Sequence, residues 1–274
     1  MNRLFVTDLD GTLLKSDITL SRNSVSILNE QIARGVPITY ATSRSFYTAQ
    51  KLLADVHFCL PCITFNGVYV INAATGQVLR KNLLDNSFFD AVCSLGRSLG
   101  LQPFVFGKTE NSEKLLYTLP GNDAQAHFVQ ERKNRGDQRL CESADYALLD
   151  EIITVTFLYP QEQLLPLKDR IAEQYEGTIS MKLIRDIYNP GYYSLEIANK
   201  HANKGDMLLY LSRLLNVSTE SVTVFGDQAN DEEMFRVAGT RIAVRNAAEE
   251  LKAMADKIIA SNEEDGVAQY LQQL

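Results

Sequence analysis

No apolar stretch in this chain of 274 residues approaches the roughly 18 that a membrane-spanning helix needs. No signal-peptide pattern opens it either; strand-like residues begin at once, and a cytoplasmic protein is expected. Cysteine is scarce. Cys59, Cys62, Cys93 and Cys141 are too few to staple a chain of this size. Cys59-Leu-Pro-Cys62 has redox or zinc spacing with His57 beside it, but no second ligand pair follows and the flanks are apolar, so these thiols read as core residues. His57, His127 and His201 share no metal-ligand spacing. Lysine and arginine do not cluster, and the formal net charge is −7, which speaks against nucleic-acid binding. Internal repeats and low-complexity tracts are missing as well.

What remains is a globular composition, 45% hydrophobic and 22% charged, in a length that suits one large domain or two moderate ones. The patterning predicts a first strand at 4–7, a helix over 19–35, a strand over 36–41, a helix over 45–54 and a short strand at 62–65. Asn66-Gly67 then reads as a hairpin turn into a further extended run, 68–71. From residue 84 the rhythm changes. Helices at 86–99, 123–135 and 161–175 are interspersed with strands at 101–106, 114–119, 152–159, 179–185 and 192–198, an α+β unit of its own. The earlier alternation resumes near Lys200, with helices at 204–215, 247–255 and 266–274 and strands at 222–225, 241–244 and 257–259. The expected layout is a core from 1–83 and 199–274, an open parallel sheet wound on both faces, interrupted by an insertion at 84–198.

Polar residues collect at the carboxyl ends of the core strands. Asp8, Thr42, Asn66 and Asp227 each take such a position, where open α/β sheets bind ligands. Paired carboxylates at the end of a buried apolar strand need hydrogen bonds, a cation, or both. A side-chain oxygen of Asp8 and the backbone oxygen of Asp10 can meet one hard cation, and Asp227 can add a third oxygen. Mg²⁺ takes about six oxygens and commonly keeps waters while sharing a substrate phosphate, so few protein ligands suffice. Taken singly, Thr42 and Ser43 are ordinary helix-cap types, Lys204 an ordinary helix residue, and Asn66 an ordinary turn former.

Four motifs in order, Asp8-Leu9-Asp10-Gly11-Thr12, Thr42-Ser43-Arg44, Lys204-Gly205 and Gly226-Asp227-Gln228-Ala229-Asn230-Asp231, resemble those of the haloacid dehalogenase superfamily. The whole chain resembles its Cof-type phosphatases, down to the ending from Asn246-Ala247 to Asp265-Gly266-Val267. The resemblance implies a Rossmann-like doubly wound α/β core carrying an α+β cap of type C2B. It implies Asp8 as nucleophile and Asp10 as general acid and then base. Mg²⁺ would bind Asp8, the Asp10 carbonyl and Asp227, supported by Asp231. Leu9, Thr42, Ser43, Lys204 and Asn230 would hold phosphate, Ser43 through an amide at a helix N-terminus. From the residues themselves, Arg44 reads as orienting substrate or as pairing with a nearby acid, and Asn66 as a further substrate contact or a turn former. The substrate implied is a small phosphorylated metabolite, sugar phosphates first, selected by cap residues with Tyr188, Tyr192 and Tyr193 as candidates. Alternatives on the same framework are a phosphomutase and a catalytically silent metabolite-binding protein. Two departures stand out: Ser43 where the family usually has glycine, and Arg245 where a glycine commonly precedes Asn246. Nothing in the sequence bears on oligomeric state.

Overall fold

The computed structural model describes residues 3–110, 112–175, 177–186 and 189–274. The chain divides into two compact units, one from residues 1–81 and 202–274, the other from Asn82–His201.

The first unit begins β1 (Leu4–Thr7), α1 (Arg22–Ala33), β2 (Ile38–Tyr40), α2 (Phe46–Leu52), β3 (Pro61–Thr64), β4 (Tyr69–Asn72) and β5 (Val78–Lys81). The second contains α3 (Asn86–Ser98), β6 (Phe104–Lys108), β7 (Glu113–Tyr117), α4 (Asp123–Asn134), β8 (Leu140–Glu142), β9 (Glu151–Pro160), α5 (Gln161–Tyr175), β10 (Ile179–Arg185) and β11 (Tyr192–Asn199). The chain then returns to the first unit as α6 (Lys204–Leu214), β12 (Val222–Gly226), α7 (Glu232–Val237), β13 (Thr240–Val244), α8 (Glu249–Met254), β14 (Lys257–Ile259) and α9 (Gly266–Gln272).

The core sheet is parallel throughout, in the order β14-β13-β12-β1-β2. Every residue of β1 is buried, as a strand covered on both faces requires. Leu4 and Val6 pack with Val222, Val224 and the apolar sides of α6 and α7, including Leu208, Leu211, Met234 and Phe235. Phe225 meets Tyr270 of α9 edge to face at 5.4 Å. Winding proceeds from β1 outward to β2, then resumes on the other side through β12, so the strand order reverses between β1 and β12. That reversal opens the crevice in which doubly wound sheets bind ligands.

β3 joins this framework through a single parallel bridge, Ala41 to Ile63, and pairs mainly with β4 in an antiparallel ribbon with β5. The Asn66-Gly67 turn is longer than the two-residue hairpin expected. Thr64 pairs with Tyr69, and Phe65, Asn66 and Gly67 all take positive φ, at 49°, 52° and 102°.

In the second unit six strands run β10-β11-β9-β6-β7-β8, antiparallel except for β7 with β8. Strand alternation sends Val155, Phe157 and Tyr159 of β9 into one apolar cluster with Val92 and Leu164 of α3 and α5, and Leu158 into another with Val129 of α4. Tyr192 and Tyr193 divide between these clusters in the same way, whereas Tyr188 lies outside the described residues. Among the described residues, no helix is long and apolar enough to cross a membrane.

Candidate active site

The ladder between β1 and β12 continues one step past β1, where the Asp8 amide donates to the Phe225 carbonyl at 3.0 Å. Asp8 and Asp227 thereby come together at two adjoining strand ends, 4% and 3% exposed. The chain folds back sharply after Asp8: the Leu9 carbonyl accepts from the amides of Leu13 and Leu14 at 3.0 and 2.8 Å. Gly11 sits at φ +75° with its Cα against Asp227, and a Cβ there would lie 2.3 Å from Oδ2. Thr12 Oγ1 donates to Asp227 Oδ1 at 2.7 Å.

Lys204 is the first residue of α6, whose preceding Asn203 accepts from the Asp206 amide. Its side chain is wholly buried, and Nζ donates to Asp8 Oδ1 at 2.5 Å and to Asp231 Oδ1 at 2.6 Å. The other oxygen of Asp231 accepts from the amides of Asp227 and Gln228 at 2.9 and 3.2 Å. Asp231 therefore ties the lysine to the end of β12. Asp8 Oδ2 keeps no hydrogen-bond partner among the described residues.

Three buried carboxylates face one buried ammonium. Burial pushes the Asp8 carboxyl well above its ordinary range; Lys204 offsets this in part, and Asp231 and Asp227 add to it. Burial likewise raises Asp227 to about 6, reinforced by Asp231 and opposed by the Thr12 hydrogen bond. Burial works against the Lys204 ammonium, but Asp231 and Asp8 outweigh it and hold its pKa above the usual value. Oxygens of Asp8, Asp227 and Asp231 lie within 4.8 Å of one another, so this excess negative charge fits a small divalent cation.

The remaining motif residues surround this centre from other strand ends. Thr42 follows β2, and its Oγ1 accepts from the Arg44 amide at 3.1 Å, leaving the hydroxyl proton free to donate elsewhere. Helix α2 is capped by Ser45, not by Thr42 or Ser43, so the Ser43 amide precedes the helix instead of opening it. The reason is local: Ser45 Oγ accepts from the Thr48 amide at 3.1 Å, while the Thr42 and Arg44 carbonyls accept from Asn66 and Phe65 of the neighbouring turn. Ser43 is exposed, and neither its amide nor that of buried Leu9 is hydrogen-bonded among the described residues. Asn66 Oδ1 accepts from Asn230 Nδ2 at 3.2 Å. Arg44 is paired with Asp10. Its guanidinium forks onto the Asp10 carboxylate, Nε to Oδ2 at 2.8 Å and Nη2 to Oδ1 at 2.5 Å.

Sequence reasoning gave no role to Thr12 or Gln228 and left Asn246 unplaced. Asn246 Nδ2 donates to the Gly11 carbonyl at 2.7 Å, its Oδ1 accepts from the Asn262 amide, and Asn262 Nδ2 holds the Leu14 carbonyl at 3.0 Å. Arg245 turns to Glu264 instead. Of the thiols, Cys62 and Cys93 are buried as expected, but Cys59 is exposed; the apolar flank Leu60-Pro61 leads into β3 only after it.

A family model described as haloacid dehalogenase-like hydrolase matches residues 5–271. An HMP-PP phosphatase of Serratia proteamaculans is 27% identical over 99% of this chain and 95% of its own. A 5-amino-6-(5-phospho-D-ribitylamino)uracil phosphatase of Bacillus subtilis is 25% identical over 98% and 96%. Among solved structures, a haloacid dehalogenase-like hydrolase from Bacteroides thetaiotaomicron shares the fold at a TM-score of 0.82 and 23% identity, covering 100% of this chain and 99% of that one. With a family match across nearly its whole length, the chain belongs to the haloacid dehalogenase-like hydrolases, in their Cof-type branch.

Proposed function

We propose that this protein is a Mg²⁺-dependent phosphatase of small phosphorylated metabolites, sugar phosphates foremost, acting through an aspartyl phosphate on Asp8. The observation that carries this reading is the Asp8 carboxylate itself: buried, with Oδ1 held by Lys204 and Oδ2 without a partner among the described residues. Both curated relatives named above are phosphatases by description, which supports the reaction class.

In this reading Asp8 attacks phosphorus, dividing the hydrolysis into two displacements. Asp10 protonates the leaving oxygen and later takes a proton from the attacking water. Lys204 reduces the repulsion between an anionic nucleophile and an anionic phosphate. Free donors are offered to phosphate oxygens by the Thr42 hydroxyl and the Leu9 and Ser43 amides, and Asn230 adds its side-chain amide. Losing one such preorganised donor typically costs about 3 kcal/mol in the transition state. Mg²⁺ held by Asp8, Asp227 and the Asp10 carbonyl, with Asp231 behind them, would supply charge neutralisation. Residues 84–198 form the cap in this scheme, and the choice of substrate is assigned to it.

The test is steady-state phosphate release from a metabolite panel, with and without Mg²⁺, using Asp8→Asn as control. Release from sugar phosphates that needs both Mg²⁺ and Asp8 is expected. Equal release by the variant would overturn the assignment.

A further inference from the structure

We propose that Arg44 is a positioning residue for the Asp10 carboxyl, setting the direction of proton transfer, and not a ligand for substrate. The proposal rests on the reading of Asp10 as general acid and base.

Main-chain freedom in this loop is already removed by other bonds. Leu9 O is held from Leu13 and Leu14, and Gly11 O from Asn246, so the backbone on either side of Asp10 is fixed without its side chain. The direction of the carboxyl is left open by all of these. Among the described residues only Arg44 settles it, through both oxygens at once. A two-point fork fixes the plane of the carboxyl as well as its position, which a single hydrogen bond or a lysine cannot do.

Arg44 is itself well anchored for this task. Its amide is bound by Thr42 Oγ1 and its carbonyl by the Phe65 amide at 2.9 Å, so the fork projects from backbone tied to the end of β3. A contribution to stability does not account for the pair. The Asp10 side chain is 41% exposed and that of Arg44 20%, and ion pairs so open to water contribute little to folding. An exposed aspartate without the fork would sample several rotamers. A proton donor has to lie within hydrogen-bond reach of the atom it serves.

The fork matches the carboxylate that the first step leaves behind. As the Asp8 oxygen forms its bond to phosphorus and the phosphorus–oxygen bond to the alcohol breaks, the Asp10 proton passes to the departing oxygen, leaving a carboxylate that both arms of Arg44 can grip. Before that step, the neutral acid still offers its carbonyl oxygen to one arm while the other oxygen carries the proton.

The experiment compares kcat/KM, which reports steps through formation of the aspartyl phosphate, on glycerol phosphate and on p-nitrophenyl phosphate. The nitrophenolate leaves without needing a proton; the alkoxide does not. Arg44→Gln is expected to lower kcat/KM about tenfold on glycerol phosphate and no more than about twofold on the aryl ester, a part of the roughly hundredfold or more that a positioned general acid supplies. In an Asp10→Asn background it should add nothing, because the two residues act as one unit. Arg44→Lys should recover little, and the melting temperature of Arg44→Gln should match that of the unmodified protein. Equal losses on both esters, losses additive with Asp10→Asn, or a raised KM with unchanged kcat would each overturn the proposal. If Asp10→Asn alone leaves the alkyl-to-aryl ratio untouched, it is the acid role of Asp10 that fails, and the proposal fails with it.

Discussion

Lys204 Nζ stands 2.5 Å from Asp8 Oδ1 with neither side chain open to solvent beyond 5%. Replacing it by methionine keeps much of the volume but strands Asp8 and Asp231 without their shared cation. Breaking a buried pair in this way typically costs about 3–5 kcal/mol. Urea unfolding of Lys204→Met in EDTA is expected to show a loss in that range, and phosphate release should be abolished.

The raised Asp227 carboxyl makes stability depend on pH in a definite direction. Above its usual 3.8 the unfolded chain has released this proton, while the folded chain keeps it until the pH passes about 6. The folded state binds more protons across that window, so stability from this group is complete below about 4 and is lost as pH rises through 6. Melting temperatures in EDTA should therefore fall from pH 4 to 7 more steeply than those of Asp227→Asn. Mg²⁺ should close that gap above pH 6, and its apparent affinity should weaken below pH 6, where it competes with the proton.

Two glycines with similar backbones separate strain from site geometry. Gly35 and Gly11 have φ of +83° and +75°, but a Cβ on Gly35 meets nothing within 4 Å, whereas one on Gly11 would strike Asp227. Each alanine substitution costs about 1 kcal/mol for its positive φ. Gly35→Ala should be less stable yet fully active per folded molecule. Gly11→Ala should lose activity beyond what its unfolding curve explains.

The Cys59-Leu-Pro-Cys62 spacing is not matched by thiol chemistry. Burial pushes the Cys62 thiol up to about 12, and Cys93 likewise to about 12, while Cys59 is exposed. At pH 8 only about one ten-thousandth of either buried thiol is the reactive thiolate. Iodoacetamide at that pH should label Cys59 in the folded protein and reach Cys62 and Cys93 only after unfolding. Ready labelling of Cys62 would reopen the redox reading.

Much of this architecture is legible from local signals. Strands such as Leu4–Thr7 and Val222–Gly226 are apolar runs ending in Asp or Gly-Asp, and helices such as Gln161–Tyr175 carry clear spacing. β5 and β8 escape notice because they are short, and β5 is largely exposed, so tertiary pairing makes them strands and their own composition does not. α7 is hidden by its six-residue length directly after a motif. At the site, the strand-end residues Asp8, Thr42, Asn66 and Asp227 are visible as polar interruptions of apolar runs. The partner of Arg44 is not, since Asp10 lies in a different loop and either could face many others. Asn246 is equally silent, because its contact with Gly11 depends on how the β13 end meets the β1 loop.

The central position of β1 also sets an order of events during synthesis. β1 emerges before the inserted unit, yet one of its two edges is completed by β12, after that whole unit has been made. Until then a strand that ends up wholly buried has an open edge, the kind of surface that invites pairing with other chains. Among the described residues the strands of the inserted unit pair only with one another, so that sheet can be complete while β1 still waits. Asp8 gains its lysine and its neighbouring carboxylates in that same late closure, which makes assembly of this buried charge cluster one of the last steps in the birth of the molecule.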